Sequence, residues 1–185
     1  QYSWAQFMTN AANTRTRGVD IVGKYNLDLQ RFGSLALSAG YTRARTTIES
    51  VNANPYGFDV LTREARGFLE HGYPEDKLVL GATHRYGPWT VSLSQTRYGE
   101  YRKYAASATN AQYDQTFSAQ WNTDLDVNYA FTKQLKLSVG ANNLFDSKPD
   151  DFNPRLRQTP GQQYSYLAPS APEGAFYYTR LTYDF

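Results

Sequence analysis

The chain has 185 residues with 19 basic and 17 acidic side chains, a formal net charge of +2 and a mean hydropathy of −0.65, yet 16% of it is aromatic, led by 16 tyrosines. No window approaches the ~20 consecutive apolar residues of a spanning helix. No Lys/Arg stripe marks a nucleic-acid binder, and without cysteine there is neither a disulfide framework nor a thiolate metal site. A membrane crossing by strands stays open, because alternation of lipid-facing and lumen-facing residues averages to a soluble-looking hydropathy.

The N-terminal QYSWAQFMTN lacks a charged n-region followed by an apolar h-region, and reads as the start of a chain cut from something longer. The one basic run, TRTRG at Arg15 to Arg17, reads as solvated. Period-two alternation then dominates. From Gly18 to Leu27, Val19, Ile21, Gly23, Tyr25 and Leu27 alternate with Asp20, Val22, Lys24 and Asn26. From Ser34 to Tyr41, Leu35, Leu37, Ala39 and Tyr41 alternate with Ser34, Ala36, Ser38 and Gly40. The polar DLQRFG between them suits a tight hairpin. Residues 46 to 76 have no sustained strand period and read as a long loop.

Alternation resumes in KLVLGATHRY, with Leu78, Leu80, Ala82, His84 and Tyr86 on one phase. Gly87-Pro88 predicts a tight turn, since proline presets φ and cannot sit within a ladder. A strand from Trp89 to about Tyr101 follows, then an irregular stretch over residues 103 to 114. Phe117 to Thr132 predicts another strand, with Leu125, Val127, Tyr129 and Phe131 against Asp124, Asp126, Asn128 and Ala130. Thr132-Lys133-Gln134 separates it from LKLSVGANNLF, and a third long loop, residues 146 to 173, holds five of the eight prolines. The closing GAFYYTRLTYDF puts Ala175, Tyr177, Thr179, Leu181, Tyr183 and Phe185 on one phase and Phe176, Tyr178, Arg180, Thr182 and Asp184 on the other.

The connections therefore alternate short, long, short, long, short, long. Outer-membrane barrels have this asymmetry, with short periplasmic turns and long extracellular loops. The expected fold is all-β: an antiparallel meander of about seven transmembrane strands, part of a larger outer-membrane barrel lying in the lipid bilayer. Tyr25, Tyr86, Trp89, Tyr129, Phe131, Tyr183 and Phe185 fall on the apolar phase near the short-turn end and are expected as interface aromatics. Tyr41, Phe145 and Tyr177 would mark the opposite boundary. Asp20, Lys24, Asp124, Asp126, Lys136 and Arg180 fall on the polar phase and are expected to face the lumen.

Three stretches, TRTRGVDIVGKY, GANNLFDSKP and the terminal strand ending Tyr183-Asp184-Phe185, resemble the C-terminal barrel region of TonB-dependent outer-membrane receptors, across essentially the whole chain. The resemblance implies a larger protein with a plug domain inside a barrel of about 22 strands. Residues 1–185 would be its C-terminal portion, with the plug and the N-terminal strands absent. In the parent protein it implies energised uptake of a scarce solute such as a ferric siderophore, another metal complex or an oligosaccharide. An energy-transducing TonB-type partner would serve the full-length parent only. Leu181, Tyr183 and Phe185 would form the signal read by the outer-membrane barrel assembly machinery.

Other constellations carry little chemistry. His71 and His84 have no cysteine or carboxylate at ligand spacing, so no metal site is expected. Asp124 and Asp126 are spaced for acid-base work, but read as lumen charges offsetting Lys136, Lys24 or Arg180. Asp150-Asp151 reads as a solvated acidic pair, and the segments 104 to 120 and 155 to 166 as loops that would touch a ligand at the outer face. No catalytic residue and no cofactor is expected. Two rival folds make different demands. A complete eight-stranded barrel of structural or adhesive role would need Tyr2 to Thr9 as a further strand. A soluble carbohydrate-binding sandwich would need Leu135, Leu137 and Val139 to meet Val19 and Ile21 across a core.

Overall fold

The computed structural model describes residues 10–52, 59–157 and 159–185. Its main sheet is an antiparallel meander of seven strands in the order β1-β2-β3-β4-β7-β8-β9. These are β1 Ala12–Asp28, β2 Ser34–Val51, β3 Asp76–Tyr86, β4 Trp89–Tyr98, β7 Gln120–Ala130, β8 Leu135–Asn142 and β9 Phe176–Tyr183. A two-stranded ribbon of β5, Tyr101–Lys103, and β6, Gln115–Phe117, stands between β4 and β7. Among the described residues the sheet does not close: β1 and β9 are its edges.

The register keeps the two phases apart through all seven strands. Tyr25 pairs with Leu37, and the row continues through Ala82, Leu93, Leu125 and Ala141 to Tyr177. Lys24 pairs with Ser38, and that row continues through Gly81 and Ser94 to Asp124. A one-residue slip anywhere would exchange the faces beyond it, so this agreement fixes every pairing at once. The three short turns share one end of the sheet. Gly33 closes the first, at φ 86 with Arg85 O where a Cβ would sit, so no other residue fits there.

Several sequence expectations change. The first two strands run well beyond the expected ends, taking in TRTRG and residues up to Val51. Inside the expected loop after them lies the helix α1, Arg63–His71, capped by Thr62, whose hydroxyl accepts from the Ala65 N–H at 3.2 Å. The expected strand from Phe117 to Thr132 is two pieces, β6 and β7, and β4 stops at Tyr98. The strand predicted over LKLSVGANNLF ends at Asn142, because Asn143 adopts φ 51 and its side chain bonds to Ser147 at both its amide groups. The proposed strand Tyr2 to Thr9 lies outside the described residues.

The buried apolar core is not on the sheet. Tyr101, Ala105, Phe117, Phe152, Leu156 and Leu167 form it, with Phe68 and Tyr113 packed against them, all from the long connections. Tyr101 and Phe117 stack at 4.4 Å, and Phe117 and Phe152 are each 1% exposed. By contrast Val19, Ile21, Val139 and Leu181 are 50%, 60%, 51% and 67% exposed on a single face. That arrangement rules out the sandwich, in which those side chains would meet in a dry centre.

Candidate functional site

Asp20, Lys24, Asp124, Asp126, Lys136 and Arg180 all fall on one side of the sheet by register. A cavity of about 370 Å³ there takes lining from β1 through β9, including Lys24, Asn26, Ser94, Asp124, Asp126 and Tyr178. On a flat sheet β1 and β9 would stand ~29 Å apart, six spacings of ~4.8 Å. Sharing one cavity therefore requires the sheet to curl toward its polar side.

Asp126 is the hub of this face. Its carboxylate accepts from the Tyr178 hydroxyl at 2.7 Å and from the Asn128 amide, which in turn accepts from the Ser138 hydroxyl. Asp124 accepts from the backbone N–H of Asn143 at 2.8 Å, tying β7 to the turn after β8. Of the offsetting cations expected for this pair, Lys136 bonds Asp184 at 3.2 Å and Arg180 lies over the Tyr178 ring at 5.8 Å, while Lys24 lines the same cavity. The hydrogen-bond donors to Asp126 are a hydroxyl and an amide. Such a site holds a fixed carboxylate toward an aqueous cavity.

The opposite face is organised by height. The strand-perpendicular row that contains Tyr25 reaches β9 at Tyr177, eight residues before Phe185. Along a line dropping ~26 Å over those eight residues while crossing ~29 Å of sheet, Tyr25, Tyr86, Trp89, Tyr129, Phe131, Tyr183 and Phe185 stay within about two residues of one level. That line is inclined at about 40° to the strand perpendicular. The rings touch along it, with Trp89 to Tyr129 at 4.6 Å, Tyr129 to Phe131 at 4.8 Å and Tyr183 to Phe185 at 5.1 Å. About eight residues farther along the same tilted frame stand Arg17, Arg43, Asp76, Arg97, Trp121 and Tyr177. Between the two levels the face is mainly aliphatic, with Ile21, Leu37, Leu80, Leu93, Val127 and Leu137.

The long connections build a cap at the other end from the short turns. Arg63 bonds Asp114 through both guanidinium nitrogens and donates to Ala105 O at 2.9 Å, while Asp114 also accepts from the Ala105 N–H at 2.8 Å. The Arg63 hydrogen bond holds the Asp114 carboxyl below the usual carboxylate range against the opposing effect of burial. Lys103 is 4% exposed and paired with Glu64; burial alone would lower its ammonium, but Glu64 and Tyr166 raise it. Burial pushes the Tyr101 phenol up to about 12. The segments expected to touch ligand are held by each other and by the residues just before the second: Arg155 lies over Tyr113 at 5.8 Å, Asn153 bonds Gln115 at 2.8 Å, and Asp150 accepts from the Ser118 N–H at 2.6 Å.

His84 bonds Phe32 O at 2.8 Å and His71 lies 5.9 Å from Tyr104, so both rings serve the architecture. Among the described residues no group of three His, Asp or Glu side chains is placed to hold a metal ion. Sequence reasoning missed Tyr178 as the partner of Asp126 and the whole Arg63-Asp114 and Lys103-Glu64 set. The first was within reach, because β9 carries a tyrosine on its polar phase opposite Gly140; the second had no signal in the local pattern.

No curated protein and no solved structure matches the chain. A family model described as TonB dependent receptor-like, beta-barrel matches residues 2–144. That is a family of receptor and transporter barrels of the bacterial outer membrane and not of enzymes, and its architecture accounts for the meander, the two unmixed faces and the one-ended short turns. The chain belongs to the TonB-dependent receptor-like β-barrel family.

Proposed function

We propose that this chain forms the C-terminal part of the barrel wall of an outer-membrane transporter, with Asp20, Lys24, Asp124, Asp126, Lys136 and Arg180 lining the lumen. On this reading the aromatics from Tyr25 to Phe185 form the periplasmic girdle and the cap of long connections lies outside the cell. The observation that carries it is the aliphatic band between two levels about eight residues apart. Tilted by about 40°, that length spans ~20 Å, close to the ~25 Å apolar band of such barrels, and the incline matches their 35–45° strand tilt.

In the complete protein the work is energised uptake of a scarce solute, such as a ferric siderophore, another metal complex or an oligosaccharide, driven by a TonB-type partner. β9, through Leu181, Tyr183 and Phe185, would serve as the strand read by the barrel assembly machinery. Among the described residues its outer edge is unpaired, and a free edge accepts an added strand through its exposed N–H and C=O groups.

The natural lack of cysteine makes the test direct. Leu137→Cys and Ser138→Cys place single thiols on adjacent residues of opposite phase. With the chain inserted in phosphatidylcholine vesicles, an environment-sensitive dye on residue 137 should be quenched by lipid-borne nitroxide, and one on residue 138 by an aqueous quencher. Equal aqueous quenching at both positions would overturn the proposal.

A further inference from the structure

We infer that the outer face of the β1-β2 ribbon, above the aliphatic band, carries a binding site for the phosphate groups of an outer-leaflet lipid. Arg17 and Arg45 are direct cross-strand partners on that face, flanked by the Arg43 and Arg15 positions. Like charges placed opposite each other in an antiparallel pair repel, so the pairing is favourable only with an anion between them. The protein supplies too little. Arg15 pairs with Glu49 at 2.7 Å, and one carboxylate, Glu75, is shared by Arg43 and Arg45 at 3.7 and 3.6 Å. Among the described residues Arg17 makes no ion pair, and the few residues outside them include no acid.

Geometry points the same way. Arg15, Arg17, Arg45, Thr47 and Glu49 line one open recess of about 340 Å³, ample for a phosphate group. All four basic residues are arginines, whose planar fork takes two phosphate oxygens at once. Charge is also segregated across the ribbon. On its other face at the same height stand Thr16 opposite Thr46, their hydroxyls 2.8 Å apart, and Gly18 opposite Ala44. Charge placed only for solubility has no reason to avoid the inner face. The face with the arginines continues downward into Val19, Ile21 and Tyr41, so whatever occupies the recess must also have an apolar body alongside that band. A membrane lipid fits both demands, and a free phosphate only one.

This inference rests on the lipid-facing reading of that face. The test uses the chain in uncharged maltoside micelles, titrated with bisphosphorylated lipid A, the same lipid after dephosphorylation, and inorganic phosphate, with bound molecules counted by native mass spectrometry. Bisphosphorylated lipid should bind, and R17Q/R45Q should weaken it roughly 25-fold, about fivefold for each cation lost from an anionic surface. R17K/R45K should fall between. Equal binding of the dephosphorylated lipid, or an unchanged affinity in R17Q/R45Q, overturns the inference. Equal binding of inorganic phosphate overturns it in favour of a free-anion site. Should R17Q/R45Q fail to fold, the comparison of phosphorylated with dephosphorylated lipid on the unaltered chain decides. In vesicles, quenching of Trp121 by brominated lipid, in a chain with Trp4→Phe and Trp89→Phe, reports separately on the lipid-facing reading, so loss of one result leaves the other interpretable.

Discussion

Lys103 shows how the cap is held at the level of single residues. Its ammonium is almost sealed from water and, among the described residues, has Glu64 as its only carboxylate partner, with the Tyr166 hydroxyl at 3.4 Å and the ring at 5.6 Å. Glu64→Ala would strand a buried cation. The expected loss is about 3 kcal/mol of local stability, the lower end of the range for breaking a buried pair because Glu64 stays a third exposed. Faster amide hydrogen exchange across α1 and β5 would report it, and Lys103→Met with Glu64→Met should restore most of the protection. Asp114 gives the cap a pH dependence. Its folded-state carboxyl is held low by Arg63, so the unfolded cap binds the proton more tightly. The contribution is fully present above the ordinary aspartate range near pH 4 and disappears as pH falls through the lower folded value. Exchange at the Ala105 N–H, which Asp114 accepts directly, should rise only below about pH 4. Asp114→Asn should expose it at neutral pH and flatten that profile.

Helix α1 is short enough that its packing outweighs its propensity. Gly67 in its middle touches Tyr104, and a Cβ added there would enter that ring, which also carries the Arg63 cation at 5.0 Å. Replacing a helical glycine with alanine ordinarily gains ~1 kcal/mol. Here overpacking of ~1–3 kcal/mol opposes it, so Gly67→Ala should lower the protection of α1 amides, and pairing it with Tyr104→Ala should recover the propensity gain. The same element marks the limit of what the sequence discloses. Strands β1 to β9 of the main sheet were legible because a solvent or lipid boundary on each face enforces period two over eight residues or more. Their alternating phases are the ones the register pairs across the sheet. α1 was hidden in a polar stretch, although Thr62 and the Leu61, Ala65, Phe68 spacing carried a weak signal of it. Phe117, Phe152, Leu156 and Leu167 were not legible as a core, since they come from loops whose order in the chain says nothing of their meeting. The Arg17-Arg45 opposition became visible only with the register; separately, each arginine looks like a solvated charge.

The whole molecule places its dry core in the cap and leaves the sheet without one, so the sheet needs lipid to cover its aliphatic face. In aqueous buffer the chain should aggregate rather than show a cooperative β-sheet transition, and in phosphatidylcholine vesicles it should give a strand-type circular dichroism spectrum that survives heating; a monodisperse, cooperatively melting sheet in water would contradict this. β9 sharpens the point. Among the described residues it pairs with β8 alone, leaving an edge of unpaired N–H and C=O groups, and Leu181, Tyr183 and Phe185 project from it with more than half of their surface exposed. For stability such side chains are nearly interchangeable with other apolar ones, because lipid contacts them equally well. On the proposed role of β9 as the strand read by an assembly partner they would not be, because a strand added at that edge reads alternate side chains together with the ladder. The two roles separate experimentally. Replacing Leu181 by methionine and Tyr183 and Phe185 by leucine, which keeps nearly all the apolar area offered to lipid, should leave spontaneous refolding from urea into vesicles changed by less than about threefold. The same substitutions in cells should lower the outer-membrane fraction of the intact receptor far more, with unassembled chain accumulating in the periplasm. An equal loss in both settings would mean that these residues stabilise the sheet, and the signal would have to be sought on another strand.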